Sequence, residues 1–142
     1  MKIGICSDHA GFLYKEKLRI LLEKKGFEVK DYGTFSEESV DYADYAHALG
    51  YGLTGGEVEK GIAICGSGEG MAITLNRHKG IRAGLAWNCA IGRLIKEHND
   101  ANVLVLPARF ISFTMATRIF GELIGAEFTG GRHLRRIEKI EL

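Results

Sequence analysis

Residues 61–70 read GIAICGSGEG, and this stretch decides the fold. Its first half is an unbroken apolar run, typical of a strand that is buried on both faces. Its second half has a glycine at every second position, which indicates a tight turn between a strand and the helix that follows it. A strand of this kind predicts a parallel sheet with helices on both sides.

The same alternation of a short apolar run and an amphipathic segment recurs along the chain. The pairs are 2–6 with 11–25, 27–32 with 41–53, 61–65 with 70–78, 81–87 with 90–97, and 102–106 with 112–126. Five such units predict an α/β fold, a single flavodoxin-like or Rossmann-like domain over residues 1–142 with a five-stranded parallel sheet. Right-handed crossovers favour the strand order 2-1-3-4-5. Residues 131–142 follow a Gly-Gly break and predict a short charged helix that packs on a partner subunit.

The composition excludes several classes of function. The chain has 142 residues with 19 basic and 18 acidic side chains, so no net field attracts it to nucleic acid or to a membrane surface. It has no apolar run that could span a bilayer and no leader at Met1, and we expect a cytoplasmic protein. Three cysteines without an export signal indicate reduced thiols rather than a disulfide framework.

The expected binding site lies beyond the carboxyl ends of the first and third strands, where the winding of the sheet reverses. Asp8 and His9 follow the first of these strands, and Cys65 ends the third. The N–H groups of Gly66, Gly68 and Gly70 can converge on an anion or a developing oxyanion. The G-x-G-x-G spacing differs from the dinucleotide fingerprint. The alternative for this loop is a tight turn without a ligand.

Cys65 lies beside those N–H groups and a helix N-terminus, where the pKa of a thiol is expected to fall. The thiolate could then act as a base towards a carbon acid or as a nucleophile. The alternative is a small buried apolar residue. We assign that structural role to Cys6, and a structural role also to Cys89.

Other charged residues allow two interpretations each. Asp8 caps the first helix, serves the chemistry, or does both. His98 is a partner for the negative end of its helix or a proton donor to a sugar. Arg132 and Arg136, four residues apart, form a solvated helix face or grip a phosphate, and Arg109 is a further phosphate ligand after the fifth strand.

Together, six motifs resemble the B-type ribose-5-phosphate isomerases, a family that includes the galactose-6-phosphate isomerase subunits. The motifs are SDHAG at 7–11, DYADYA at 41–46, CGSG at 65–68, NR at 76–77 before GIRA at 80–83, HNDAN at 98–102 and GGRH at 130–133. The resemblance covers essentially the whole chain.

The resemblance implies a flavodoxin-like homodimer, or a tetramer, with shared active sites and no metal or organic cofactor. Cys65 resembles the base, and Ser67 the hydroxyl that holds the enediolate. His98 resembles the ring-opening residue, supplied by the partner subunit, with Asp8 as its carboxylate counterpart.

The resemblance also implies a set of substrate-binding residues. The phosphate contacts are His9, Arg109, Arg132 and Arg136, with Arg109 crossing the interface, and Asn99 and Tyr42 lie near the sugar. Two positions depart from the family pattern: Glu69 replaces an apolar or amide residue, and Ala43 replaces a common proline. Met71 stands where one branch of the family has a glutamate base, which leaves the base role with Cys65.

These observations predict an isomerase that interconverts ribose 5-phosphate and ribulose 5-phosphate through a cis-enediolate. No set of His, Cys and carboxylate residues has the spacing of a zinc site, so the chemistry is expected to need no metal. The alternatives are the same chemistry on allose 6-phosphate or galactose 6-phosphate, a nucleotide-binding module of the universal-stress type, and a receiver-type signalling domain.

Overall fold

The computed structural model describes residues 1–142 and contains five strands in one parallel sheet. The strands are β1 (Lys2–Ser7), β2 (Glu28–Asp31), β3 (Lys60–Cys65), β4 (Ala83–Leu85) and β5 (Val103–Pro107). All four strand pairings are parallel, as the buried apolar runs predicted. The predicted α/β fold with a five-stranded parallel sheet is confirmed.

The predicted strand order 2-1-3-4-5 is wrong, because the observed order is β2-β1-β3-β5-β4. The last strand inserts next to β3 and displaces β4 to the edge. All five residues of β5 are buried, whereas β4 has three half-buried residues. A central strand must be covered on both faces, and the longer and more apolar β5 meets that condition better. The reversal of winding between β1 and β3 is unaffected.

Six helices connect and cover the strands. They are α1 (Phe12–Lys24), α2 (Tyr42–Thr54), α3 (Glu69–Leu75), α4 (Cys89–Glu97), α5 (Phe113–Gly125) and α6 (Arg132–Glu138). Side-chain caps start two of them: Asn88 accepts the Ile91 N–H at 2.9 Å, and Ser112 accepts the Met115 N–H at 3.0 Å. Such caps satisfy N–H groups that have no partner within the helix.

The sheet has an apolar core on each face. One core joins side chains of β1, β3 and β5, such as Ile5, Ile64 and Leu106, to α1, α4 and α5. The other joins the alternate residues of the same strands to α2 and α3, and it contains Cys6 and Cys65. Because side chains alternate between the faces of a strand, Cys65 lies under α3.

The segment after α5 lies outside the strand-helix alternation, as predicted, and it forms α6 after the Gly-Gly break. None of the side chains of α6 is buried within the chain. None of the helices is both long enough and apolar enough to span a bilayer.

Candidate active site

The sulfur of Cys65 lies at the carboxyl end of β3, in the turn that leads to α3. The backbone N–H groups of Gly68, Gly70 and Met71 lie against this sulfur and act to lower its pKa. Three convergent N–H groups at the start of a helix provide a fixed positive field for an anion. The predicted arrangement of a thiol against glycine amides is therefore present.

The prediction that the pKa of Cys65 falls is wrong for the isolated chain. The residue is only 4% exposed, and burial raises its pKa. The N–H groups of Met71, Gly68 and Gly70 act in the lowering direction, while the charge of Asp8 raises the pKa further. Desolvation exceeds the effect of the amides because α3 covers the end of the strand.

Asp8 and His9 follow β1, which pairs directly with β3, so the two predicted loops are neighbours. Asp8 Oδ1 accepts the Gly11 N–H at 3.0 Å, which confirms the predicted capping role. His9 Nδ1 accepts the Val40 N–H at 3.2 Å, so a neutral ring carries its proton on Nε2. His9 thus presents a donor at the carboxyl edge of the sheet.

The glycine turn is shaped by close contacts. Gly68 has φ +80°, and a Cβ there would lie 2.4 Å from Leu85 Cδ1, so only glycine fits. Ser67 Oγ accepts the Glu69 N–H at 3.2 Å, which orders the start of α3. Glu69 itself is exposed at this start.

Two side chains border the same turn. The ring of Tyr42, the first residue of α2, lies against Gly70, where an added Cβ would be 2.7 Å from ring carbons. Cδ of Arg109 would lie 3.2 Å from a Cβ added at Gly66. The backbone N–H of Arg109 also donates to the Gly66 carbonyl at 3.0 Å. Arg109 thus lies on the glycine turn of its own chain.

The residues at this end of the sheet are called the carboxyl-edge group below. The group consists of Asp8, His9, Tyr42, Cys65, Gly66, Ser67, Gly68, Gly70 and Arg109. It combines a thiol, a carboxylate, a hydroxyl, convergent N–H groups and an arginine.

The remaining predicted residues form a second group at the opposite edge, called the amino-edge group below. It consists of His98, Asn99, Arg132 and Arg136. His98 follows α4, and its ring stacks on His133 of α6 with centroids 4.2 Å apart and planes at 11°. Arg132 and Arg136 are exposed on that same short helix.

The two groups are separated by the length of the sheet. Helix α4 returns the chain from the carboxyl end of β4 to the amino end of β5. There, the Gly61 N–H at the start of β3 donates to the Asn102 carbonyl. Strand β3 has six residues, so its ends are about 16 Å apart. His98 therefore cannot reach Cys65 of its own chain.

The other two cysteines have the surroundings predicted for structural residues. Cys6 is completely buried, with its sulfur 4.0 Å from Met71 Sδ. Cys89 is partly buried, and its sulfur lies 3.9 Å from Met115 Sδ.

A charged network near the carboxyl-edge group escaped the sequence analysis. Lys15 is completely buried, and its ammonium contacts Asp31 at 2.6 Å and Glu16 at 3.0 Å. The other oxygen of Asp31 accepts the Gly33 N–H at 2.9 Å, which fixes the loop that leads to Val40. The burial of Lys15 could not be predicted, because the sequence of an amphipathic helix does not show that one of its lysines is buried. Asp31, an acidic residue at the end of a strand, was visible in the sequence.

Fold and site together define a doubly wound α/β protein with a buried thiol and a glycine turn at the switch point of the sheet. Comparisons with known proteins agree with this class. The sequence matches the family model described as Ribose/Galactose Isomerase over residues 3–140. Ribose-5-phosphate isomerase B of Escherichia coli strain K12 is 40% identical over 139 residues, which cover 98% of this chain and 93% of that protein.

Solved structures agree with the sequence matches. The Clostridium thermocellum ribose-5-phosphate isomerase B superposes with a TM-score of 0.97 at 44% identity, covering 99% of this chain and 95% of that one. The Mycoplasma genitalium enzyme, solved with bound ribulose-5-phosphate, gives 0.93 at 35% identity, covering 98% and 93%. The chain belongs to the ribose/galactose isomerase family. This membership confirms the predicted resemblance and replaces the nucleotide-binding and receiver-domain alternatives.

Proposed function

We propose that this chain interconverts ribose 5-phosphate and ribulose 5-phosphate through a cis-enediolate, with Cys65 as the base. The observation that carries the proposal is the sulfur of Cys65 held among three backbone N–H groups, beside Asp8. The choice of a pentose phosphate follows its relatives, which are named ribose-5-phosphate isomerase B. One of them was solved with ribulose-5-phosphate.

In the proposed reaction, the Cys65 thiolate removes the proton from C2 of the open-chain aldose. The C2–H electron pair forms the C1–C2 double bond, and negative charge develops on O1. The proton on O2 moves to O1, and the sulfur returns its proton to C1 to give the ketose. N–H groups of the glycine turn and the Ser67 hydroxyl stabilise the oxyanion, and removal of one such donor typically raises the barrier by about 3 kcal/mol.

The carboxyl-edge group also begins a phosphate site. His9 holds its Nε2 proton available because the Val40 N–H occupies Nδ1. Arg109, exposed beside Gly66, supplies a guanidinium at the same edge. Binding energy at the phosphate would hold C1 and C2 against the sulfur.

The proposed site is incomplete in one chain, because the amino-edge group lies at the other end of the sheet from Cys65, and the two ends of β3 are about 16 Å apart. We therefore propose that a second copy supplies His98 for ring opening, with Asn99, Arg132 and Arg136 for the sugar and phosphate. These three residues are exposed. Such an arrangement is a homodimer with two shared sites.

Helix α3 indicates where the two copies meet. The helix begins beside Cys65 and ends near the amino edge, where the Gly80 N–H donates to Glu141 of the C-terminal tail at 2.8 Å. Ile73 lies in its middle and is 64% exposed. A two-fold axis near Ile73 would place the carboxyl-edge group of each copy against the amino-edge group of the other.

The experiment mixes two inactive variants, Cys65→Ala and His98→Ala, after joint unfolding and refolding. If sites are shared, half of the dimers are mixed and each mixed dimer has one intact site. The mixture should then recover about a quarter of the native activity on ribose 5-phosphate, while each variant alone stays inactive. Allose 6-phosphate and galactose 6-phosphate are assayed in parallel to decide the substrate.

Control variants separate the claims. Cys89→Ala should keep full activity, because Cys89 belongs to neither group. Ile73→Glu should give a folded monomer without activity, measured by sedimentation and circular dichroism. Full activity of Cys65→Ala would refute the base assignment, and a mixture with no recovered activity would refute the shared site.

A further inference from the structure

The turn at residues 98–100 carries two of the proposed active-site residues, yet it lies beyond the last helical residue of α4. His98 and Asp100 still donate their N–H groups into the helix, to the carbonyls of Leu94 at 2.9 Å and Lys96 at 3.1 Å. Asp100 has φ +45°, in the left-handed region that residues other than glycine rarely adopt. The carbonyls of this turn have no partner within the helix.

The side chain of Arg82 donates hydrogen bonds to two of those carbonyls. Its Nε donates to the Asn99 carbonyl at 2.9 Å and to the Asp100 carbonyl at 3.1 Å. One of its terminal nitrogens donates to the Asp100 carbonyl at 2.9 Å and lies 3.4 Å from the Asp100 carboxylate. The planar guanidinium thus spans two successive carbonyls with a fixed fork of donors, which an ammonium group lacks.

The backbone of Arg82 is also fixed. Its N–H donates to Asn102 Oδ1 at 2.8 Å, and Asn102 Nδ2 donates to the Gly80 carbonyl at 2.9 Å. The carboxylate of Asp100 pairs with Lys96 as well. Arg82 therefore acts from a rigid position, and it connects the start of β4 to the turn after α4.

We propose that Arg82 is a positioning residue that fixes the direction in which His98 and Asn99 enter the partner's active site. The proposal rests on the proposed function, in which His98 opens the sugar ring. A second contact supports the turn from the other side, where Thr129 donates through its N–H and its hydroxyl to the Glu97 carbonyl at 3.0 and 2.8 Å. The stack on His133 limits rotation of the His98 ring, whereas Arg82 holds the backbone of the turn.

Ring opening and proton transfer respond differently to a misplaced His98. Ribose 5-phosphate is mostly a furanose and must be opened before Cys65 can remove the C2 proton. Ribulose 5-phosphate carries its phosphate on the C5 oxygen, so it cannot close a furanose ring and enters the reaction as an open chain. Loss of Arg82 should therefore slow the net conversion by the same factor in both directions, as the fixed equilibrium constant requires, and largely spare the exchange of the C1 hydrogen of the ketose, which needs no ring.

The experiment compares Arg82→Met, Arg82→Lys and native protein in both directions. For Arg82→Met, kcat/KM on ribose 5-phosphate should fall about 10-fold to 100-fold, the loss typical of a group displaced by about 1 Å. On ribulose 5-phosphate kcat/KM should fall by the same factor, because no variant changes the equilibrium constant. Arg82→Lys keeps the charge but not the fork, and it should give an intermediate loss of net conversion, again without a loss of C1 hydrogen exchange.

Arg93→Met is the matched control. Arg93 lies on α4. Of the charged side chains around the turn, it contacts only that of Glu97, at 3.6 Å. Its replacement should change neither direction of the reaction. Exchange of the C1 hydrogen of ribulose 5-phosphate with deuterium oxide, followed by NMR, measures the Cys65 step without a ring and should be unchanged in Arg82→Met.

Several results would overturn the proposal. An equal loss of net conversion and of C1 hydrogen exchange would indicate a structural role, and no loss would show that the turn is held without Arg82. If Arg82→Met does not fold, the difference between net conversion and exchange in Arg82→Lys decides the question. Native protein that is inactive on both pentose phosphates would instead refute the proposed function, and this inference with it.

Discussion

The surroundings of Cys65 determine how its reactivity depends on pH. Burial raises the pKa of this thiol above the ordinary value of 9.0, and the charge of Asp8 raises it further. Below the pKa, the thiolate fraction of a thiol rises about tenfold per pH unit. The alkylation rate of Cys65 in the ligand-free protein should therefore rise from pH 6 to pH 9 without a plateau.

The variant Asp8→Asn isolates the contribution of the carboxylate. An amide oxygen can still accept the Gly11 N–H, which Asp8 Oδ1 accepts at 3.0 Å, so the start of α1 is retained. The charge that disfavours the thiolate is lost. The pKa of Cys65 should fall, and the whole rate profile should move to lower pH.

The assay is alkylation by iodoacetamide at steps of one pH unit, with mass spectrometry of the separate cysteine peptides. Cys89 is partly buried and remote from Asp8, so its profile should be the same in both proteins and serves as the internal control. A Cys65 profile that does not move in Asp8→Asn would refute the electrostatic reasoning. A plateau below pH 8 in the native protein would show that the amides outweigh burial.

Three further outcomes are expected. Gly68→Ala should lower the free energy of unfolding by about 1 to 2 kcal/mol, measured with urea, because an L-residue at φ +80° is strained; unchanged stability would contradict the geometry at Leu85. Lys15→Met should lower stability by about 3 kcal/mol, because it leaves Asp31 with only the more distant Arg19, at 3.9 Å, and Lys15→Met with Asp31→Asn should recover part of the loss. Isomerase activity should persist in 10 mM EDTA on the order of hours, since backbone N–H groups rather than a Lewis acid are proposed to hold the enediolate.

Local patterns predicted the elements well, because helical and strand periodicities depend on neighbours within a few residues. The third strand was expected at 61–65 and spans Lys60–Cys65. The order of the strands depends instead on which of two distant runs fills the centre of the sheet. The glycine within residues 81–87 was a visible sign of an edge strand, beside the wholly apolar Val103–Leu106 run, whereas the shortening of that strand to Ala83–Leu85 was not visible.

The site was predicted as far as it follows from the ends of strands. Neighbouring strand ends placed Asp8 beside Cys65, and the pairing of β1 with β3 confirms this. The direction of the Cys65 pKa was missed because desolvation depends on how α3 packs over the strand end. Arg82 was quoted within a motif but given no role, because its partners are backbone carbonyls, which leave no trace in the sequence.

The separation of the two groups follows from the alternation of strands and helices along the chain. In a parallel sheet each strand delivers the chain to the carboxyl edge, and each helix returns it to the amino edge. Asp8, Cys65 and Arg109 follow or end strands, whereas His98 follows a helix. No rearrangement of loops in one chain can bring a residue after α4 to the end of β3 without unwinding that helix. A base and a ring-opening acid at these positions can meet only across two copies, so the proposed chemistry requires the dimer for its first step.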